Sequence, residues 1–327
     1  MLPLSILDLA FVAEGQPAGE ALHGCVTFAQ RAEALGYARI WYAEHHNIPS
    51  IASSATSVLI AHVAAHTRKI RLGAGGVMLP NHAPLVIAEQ YGTLAALHPG
   101  RIDLGLGRAP GTDPVTLRAL RVDPMEAESF PDDVLELQAY LGEESLVENV
   151  EATPGRGTKV PLYILGSSLF GAQLAAALGL PYGFASHFAP AALEQAVALY
   201  RARFRPSKQL EKPYVIAGVN VLAADDRATA EAHFRRVRIG RTKALLGRGK
   251  NWSDEMAEAV LQSPAGRGLE EMARYSAIGT GPEVKAYLED FAKRAQADEL
   301  MTVHAAPSVE ARVRSLEVLA QAWGLQP

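Results

Sequence analysis

Three adjacent side chains that can move protons, Glu44, His45 and His46, follow a short apolar segment, Arg39–Ala43. The segment is rich in β-branched and aromatic residues and has helical patterns on both sides, which predicts a buried strand. In parallel α/β sheets, ligands bind just beyond the carboxyl ends of the strands. A carboxylate and two imidazoles at such an end indicate a site of proton transfer, although side chains that only cap a strand and solvate a loop have the same types.

Two further segments have the residue types that bind an anion. Gly166, Ser167 and Ser168 stand where a predicted strand turns into a helix. Their backbone N–H groups and hydroxyls can hold a phosphate at the positive end of the helix dipole. A plain turn with serine as the N-cap has the same sequence. Arg108 ends a Leu-Gly-Leu-Gly-Arg strand, and its guanidinium suits a dianionic phosphate in charge and geometry.

Two glycine-rich segments depart from nucleotide-binding motifs. Residues 105–111 read Gly-Leu-Gly-Arg-Ala-Pro-Gly, so Pro110 occupies the third-glycine position of a dinucleotide fingerprint. Residues 73–76, Gly-Ala-Gly-Gly, are not followed by the Gly-Lys-Ser/Thr of a P-loop. Glycines within a strand indicate that a flat ligand or another backbone approaches closely, or that the core is tightly packed. A self-contained nicotinamide site is therefore not expected.

A metal site is not expected either. Glu44, His45 and His46 are consecutive, and consecutive strand residues point to opposite faces, so they cannot all bind one ion without a bend. The basic run Arg235–Lys243 has five cations on a predicted helix. We interpret this run as a solvated face, with a cofactor- or partner-facing role as the alternative.

The composition is that of an ordinary globular protein. The 327 residues are 49% hydrophobic and 20% charged, with a net charge of −4. This charge gives no reason to expect nucleic acid or an anionic membrane as a partner. The single cysteine, Cys25, excludes an internal disulfide and fits a reducing cytoplasm. No apolar run approaches the roughly 18 residues of a membrane span.

The chain alternates strands and helices over its whole length. The predicted strands are residues 4–9, 39–43, 69–79, 101–107, 160–165, 182–186, 214–223 and 299–304. Strands joined through helices are parallel, and eight of them favour a (β/α)8 TIM barrel over an open doubly wound sheet. We therefore expect one domain, residues 1–327, with insertions after strand four, containing an acidic helix at 126–141, and after strand seven.

Six segments, in order over nearly the whole chain, resemble the bacterial-luciferase-like flavin monooxygenases. They are Ala-Glu-His-His at 43–46, Leu-Gly-Ala-Gly-Gly-Val-Met-Leu-Pro-Asn-His-Ala-Pro at 72–84, Ala-Glu-Gln at 88–90, His-Pro-Gly-Arg-Ile-Asp-Leu-Gly-Leu-Gly-Arg at 98–108, Leu-Gly-Ser-Ser at 165–168 and Ala-Asp-Glu-Leu at 297–300. The combination is far more specific than any single motif. It is more similar to an uncharacterised bacterial branch than to the light-emitting one.

The resemblance implies a TIM barrel that binds FMN at its carboxyl face. It implies that His45 is the catalytic histidine beside the flavin, and we add Glu44 and His187 as further catalytic candidates. The residues that we expect to bind the cofactor are Ala74, Gly75, Gly76, Arg108, Leu165, Gly166, Ser167 and Ser168. Within that set, Gly75-Gly76 matches the family's non-proline cis peptide, Arg108 its phosphate-binding arginine, and residues 166–168 its phosphate loop.

The activity implied is an FMN-dependent monooxygenase that uses reduced FMN and O2 to oxygenate a small organic substrate. Such chemistry needs a closed, dry site, and the resemblance places a mobile lid at about residues 225–281. Since the chain has no dinucleotide fingerprint, we expect a separate flavin reductase to supply the reduced cofactor. Members of the family form homodimers through the helices beside strands two and three, so the resemblance implies a homodimer.

Three alternatives remain open. Deazaflavin (F420)-dependent relatives transfer hydride without oxygen, but they tend to have a glutamate just after the glycines of strand four, where this chain has Arg108. A flavin-binding protein that has lost catalysis would keep the same binding residues. A barrel aldolase or phosphate-sugar enzyme is more remote, because no lysine stands at a predicted strand end.

Overall fold

The structure is a computed structural model that describes residues 2–109 and 112–326, and its strands form one parallel sheet closed into a barrel. The strands are β1 (Leu4–Asp8), β2 (Arg39–Tyr42), β3 (Arg71–Met78), β4 (Ile102–Gly107), β5 (Leu162–Gly166), β6 (Tyr182–Phe184), β7 (Val215–Ala223), β8 (Ser276–Gly279) and β9 (Glu299–Val303). The first seven pair in chain order, β7 then pairs with β9, and β9 pairs with β1 to close an eight-stranded ring. The predicted TIM barrel is confirmed.

Helices surround the ring. They are α1 (Ala18–Leu35), α2 (Thr56–Ala65), α3 (Pro84–Leu97), α4 (Pro114–Leu120), α5 (Phe130–Leu141), α6 (Leu169–Leu178), α7 (Leu193–Arg203), α8 (Arg227–Leu246), α9 (Asp254–Leu261), α10 (Arg267–Met272), α11 (Gly281–Arg294) and α12 (Val309–Trp323). Their buried apolar faces and the outward side chains of the strands form the main core. Within the described ranges, no helix has both the length and the apolar composition of a membrane span.

The structure has a ninth strand, β8, that the sequence analysis does not predict. It pairs with Asn220–Ala223 at the end of β7, beyond the residues Val215–Ala217 that pair with β6. Strand β8 therefore lies outside the ring, within the insertion between β7 and β9. The strand predicted at 299–304 is β9.

Both predicted insertions are present. The insertion after β4 contains α4 and α5, of which only α5 matches the predicted acidic helix. The N-cap of α4 is Asp113, whose carboxylate accepts hydrogen bonds from the backbone N–H groups of Val115 and Thr116. The insertion after β7 contains α8, α9, α10 and β8.

An ionic network fills the amino-terminal end of the barrel. Arg39 donates from Nη1 to Oδ2 of Asp103 at 2.8 Å and to the hydroxyl of Tyr163 at 2.8 Å. The Nε of Arg39 also lies 2.9 Å from Oε1 of Glu299, and Oε2 of Glu299 accepts a hydrogen bond from the hydroxyl of Tyr214. Both carboxylates are fully buried. Because these side chains fill this end, we expect a ligand to enter the barrel from the carboxyl end.

Candidate active site at the carboxyl end of the barrel

The Glu44-His45-His46 triplet divides between two faces, as the alternation of an extended chain requires. Glu44 is 2% exposed, and its Oε1 accepts a hydrogen bond from Nε2 of His46 at 2.9 Å. His82, which follows β3, donates from Nε2 to the same oxygen at 2.9 Å. The backbone N–H of Met78 donates to Oε2 at 3.0 Å. Glu44 and His46 thus face the loop after β3.

Glu44 is an ionised carboxylate in a buried position. Burial by itself would raise the pKa of Glu44, but the hydrogen bonds from His46, His82 and Met78 lower it to about 2. Since the ionised carboxylate only accepts hydrogen bonds, the Nε2 atoms of both histidines must carry their protons. The backbone N–H of Glu44 also donates to the carbonyl of Gly76 at 3.1 Å. Glu44 therefore fixes the end of β3 against the end of β2.

His45 faces the mouth of the barrel and is half-buried. Across the mouth lies His187, which follows β6, and His45 is close enough to it to affect its pKa. Burial, followed by the charges of Arg241 and His45, lowers the pKa of His187 to about 3. His187 is held by Asn220, which donates from Nδ2 to the His187 carbonyl at 2.7 Å. At neutral pH His187 is thus an uncharged imidazole.

The Gly75-Gly76 peptide bond is cis, as the resemblance implies. The pairing of β3 with β4 shifts between Gly75 and Val77, so Gly76 has no partner in the register. A Cβ on Gly76 would lie 2.7 Å from the carbonyl oxygen of Gly105 and 2.8 Å from Cδ1 of Leu165. The glycines therefore permit a close approach of β3 to β4 at the floor of the mouth.

Ala74 and Leu165, both assigned to the cofactor, occupy different sides of the sheet. Ala74 is fully buried in the core between barrel and helices, so only its backbone is available to a ligand at the mouth. The side chain of Leu165 packs with the cluster inside the barrel and contacts the positions of Gly76 and Gly105.

Arg108 lies beside the start of α6. Its guanidinium carbon is 4.0 Å from the ring centre of Phe170, a residue of the first turn of α6, and the side chain is exposed. Two of the residues that follow Arg108 in the predicted Gly105–Gly111 segment, Pro110 and Gly111, are outside the described residues. The stacking holds a permanent positive charge next to the amino-terminal end of a helix.

The turn before α6 has unused donors. Ser168 is the N-cap of α6, and its side chain makes no capping hydrogen bond. The first backbone N–H groups of any helix have no intrahelical acceptor. A Cβ on Gly166 would meet no atom closer than 3.6 Å, so packing does not require glycine there and the missing side chain leaves room. Together with Arg108, residues 166–168 offer the charge, donors and space that a phosphate monoester needs.

The predicted site residues therefore meet at one rim. Glu44, His45, Gly76, Arg108 and residues 166–168 all follow or end adjacent parallel strands, β2 to β5. His187 stands on the opposite side of the mouth, after β6. Among the described residues, no group of three or more His, Cys, Asp or Glu side chains has the arrangement of a metal site.

The sequence analysis did not predict a role for two residues of this rim, His82 and Arg241. His82 lies within the quoted 72–84 motif, but nothing in its spacing indicates that it would return to Glu44. Arg241 belongs to the basic run interpreted as a solvated face. That interpretation holds for the exposed Arg235 and Arg236 but is wrong for Arg241, which is half-buried and lines a cleft with Asn220.

The similarity to known proteins extends over nearly the whole chain. The family model for luciferase-like monooxygenases matches residues 2–301. A luciferase-like monooxygenase of Escherichia coli (strain K12) is 45% identical over 320 residues, which are 97% of this chain and 96% of that protein. The N-acetyl-S-alkylcysteine monooxygenase of Bacillus subtilis (strain 168) is 36% identical over 273 residues, 80% of each chain.

Solved structures have the same fold. The crystal structure of apo-MsnO8 superimposes with a TM-score of 0.90 at 33% identity and covers 100% of both chains. The oxygenating constituent of 3,6-diketocamphane monooxygenase from Pseudomonas putida, in complex with FMN, gives 0.75 at 15% identity, over 98% of this chain and 97% of that chain. An F420-dependent secondary alcohol dehydrogenase gives 0.68 at 16% identity, over 97% and 98%. From the family match and the relatives at 36% and 45% identity, the chain belongs to the luciferase-like monooxygenase family.

Proposed function

We propose that this enzyme is an FMN-dependent monooxygenase that oxygenates a small organic substrate with reduced FMN and O2. The observation that carries the proposal is the shared rim: an anion-binding corner at Arg108 and α6, a glycine floor at Gly75-Gly76, and the imidazole of His45. These features suit the phosphate, the flat ring and the reactive edge of one flavin.

The corner at α6 would hold the phosphate of FMN. Arg108 supplies a permanent positive charge, and Ser167, Ser168 and the first N–H groups of α6 supply hydrogen-bond donors. The room above Gly166 allows a phosphate to approach the backbone. Leu165 and the backbone of residues 74–76 would lie beneath the ring.

Reduced FMN, when bound, supplies the electrons that activate O2 for transfer of one oxygen atom to the substrate. His45 moves a proton at the mouth of the barrel, because an imidazole has one nitrogen that can donate a proton and one that can accept it. His187, which is uncharged, orients groups by hydrogen bonding without adding charge. Glu44 is a positioning residue, since its carboxylate is already enclosed by His46, His82 and Met78.

Water is excluded by the insertion after β7, which we assign as the lid. Its loop after α8 crosses to the opposite rim, where Nη1 of Arg248 lies 3.2 Å from Oδ2 of Asp113 and Nη2 donates to the carbonyl of Asn47 at 3.3 Å. Because β8 is fixed in the sheet, we limit the moving part to residues 225–275 of the predicted 225–281. Exposed ion pairs of this kind are weak enough to open and close.

The partners follow from the same proposal. A separate flavin reductase supplies reduced FMN, because residues 105–111 lack a dinucleotide fingerprint. The chain forms a homodimer through α2 and α3, where Val58, Val86 and Leu97 are exposed apolar side chains. We assign it to the cytoplasm, where its single thiol stays reduced.

An oxygen-electrode screen tests the proposal. The protein is supplied with chemically reduced FMN and with aldehydes, alkanes, aromatics and N-acetyl-S-alkylcysteines, the compounds named for the relative from Bacillus subtilis. Oxygen uptake that depends on one of these substrates is expected. Tight FMN binding without any such uptake favours the non-catalytic alternative, and binding of F420 in preference to FMN favours the hydride-transfer alternative.

A further inference from the structure

Among the residues that the structure describes, none is a counter-ion for the cation of Arg241. Arg241 lines a shallow, partly open cleft between α8 and the ends of β7, β8 and β9. Within residues 2–109 and 112–326 its guanidinium has no hydrogen bond or ion pair, and burial, with no carboxylate nearby to oppose it, lowers its pKa. The four remaining residues, Met1, Pro110, Gly111 and Pro327, have no acidic side chains.

Three other arginines of α8, one half-buried and two exposed, have partners. Arg238, one turn before Arg241 and in the wall of the same cleft, is paired with Glu270. Arg235 is paired with Glu258, and Arg227 with Glu231. A half-buried guanidinium left unpaired is costly, so its presence beside a cleft is best explained by a ligand.

The surroundings of Arg241 define the charge of that ligand. His187 is uncharged at neutral pH, and Glu270 neutralises Arg238. Among the described residues that line the cleft, Arg241 is therefore the one uncompensated positive charge, which matches a monoanion better than a phosphate dianion. Its remaining walls include Phe234, Val237 and Val303, so the rest of the ligand is apolar.

The position of the cleft separates it from the cofactor corner. Strands β7 and β9 lie across the ring from β3 and β4, which carry the glycine floor and Arg108. Asn220 connects the two sides, because it lines the cleft and also holds the carbonyl of His187. A molecule seated against Arg241 would extend from the cleft toward the two histidines at the centre of the mouth.

We propose that Arg241 binds the carboxylate of the substrate, which is a small apolar molecule that ends in one carboxylate group. The guanidinium fork forms two parallel hydrogen bonds with a carboxylate. This inference rests on the proposed function only in calling the bound acid the substrate. Binding of the acid itself does not require FMN.

Calorimetric titration with three probes tests the inference: hexanoate, its neutral isostere hexanamide, and pentane-1-sulfonate. Each is titrated into the wild type, into Arg241→Met, and into Arg236→Met, which removes an exposed arginine of the same helix. The wild type and Arg236→Met should bind hexanoate at least about tenfold more tightly than hexanamide, and Arg241→Met should lose that preference. Arg241→Met should also unfold at the same or a higher temperature than the wild type, because it removes an unpaired charge.

Three kinds of outcome would contradict the inference. A hexanoate preference that survives in Arg241→Met, or is absent from the wild type, overturns it, and a preference for pentane-1-sulfonate overturns the carboxylate. Weaker FMN binding by Arg241→Met, measured by flavin fluorescence, would assign Arg241 to the cofactor instead. If Arg241→Met does not fold, Arg241→Lys serves in its place and should retain a reduced preference. The titrations use FMN-free protein. Their result therefore tests carboxylate binding by Arg241 even if the oxygenase assay fails.

Discussion

The Nε2 atom of His82 lies 2.9 Å from Oε1 of Glu44, a residue 38 positions earlier in the chain. Together with His46, this contact joins the loop after β2 to the loop after β3. The backbone of Glu44 is also bonded to Gly76, so the same contact fixes the glycine floor. The Glu44-His45-His46 triplet therefore combines one imidazole at the mouth with an anchor behind it.

The anchor makes the stability of the protein depend on pH. Glu44 has a pKa of about 2 in the folded protein and about 4.5 when unfolded, so its contribution is complete above pH 4.5 and is lost as the pH falls toward 2. The shift corresponds to about 3 kcal/mol of folding free energy. Glu44→Gln should therefore lower the free energy of unfolding by up to that amount at pH 7, measured by urea denaturation.

The difference between Glu44→Gln and the wild type should shrink as the pH is lowered through the window from 4.5 to 2. Glu194→Gln, which removes an exposed carboxylate on α7, is the control and should have little effect at any pH. A Glu44→Gln protein as stable as the wild type at pH 7 would contradict the anchoring role.

A side chain at Gly76 should be poorly tolerated. Its Cβ would lie 2.7 Å from the carbonyl oxygen of Gly105, which is backbone and cannot move aside easily. Gly76→Ala should lower the free energy of unfolding by about 1–3 kcal/mol and weaken FMN binding. Urea denaturation and flavin fluorescence measure the two effects.

Gly240→Ala on α8 is the matched control. A Cβ there meets no atom within 4 Å, and alanine is favoured over glycine within a helix, so stability should rise by about 0.5–1 kcal/mol. Equal effects of the two substitutions on the free energy of unfolding would contradict the prediction that the close approach of β3 to β4 requires glycine at position 76.

His45 should matter for turnover more than for cofactor binding. Removal of a general acid or base typically costs about 10²–10⁴-fold in rate. His45→Gln should therefore reduce substrate-dependent oxygen uptake by that order while FMN affinity changes little. His23→Gln, an exposed histidine on α1, should leave both values unchanged. Unaltered turnover in His45→Gln would direct the search for a proton donor to His187.

The barrel was predictable because its information is local. Short apolar runs separated by helical periods define each of the eight strands of the ring to within a few residues. Strand β8 was missed because it has four residues and pairs only with the end of β7, which is about fifty residues away in the chain. Pairing over such a distance leaves no periodic pattern in the sequence.

The site was predictable in part for the same reason. Residue types at strand ends indicated Glu44, His45, Arg108 and residues 166–168, and the parallel sheet brings them to one rim. The anchoring by His82 and the unpaired state of Arg241 depend on how a loop and a helix pack, which a single sequence does not encode locally. The roles of these residues stay predictions until the experiments are done.

The central claim, that the mouth binds a flavin through its phosphate, is tested most directly by comparing FMN with riboflavin. Fluorescence titrations of both flavins are done with the wild type, Arg108→Met and the exposed-arginine control Arg118→Met. The wild type and the control should bind FMN at least about tenfold more tightly than riboflavin, and Arg108→Met should bind the two alike. Equal binding of FMN and riboflavin by the wild type, or a preference for FMN that persists without Arg108, would contradict the claim.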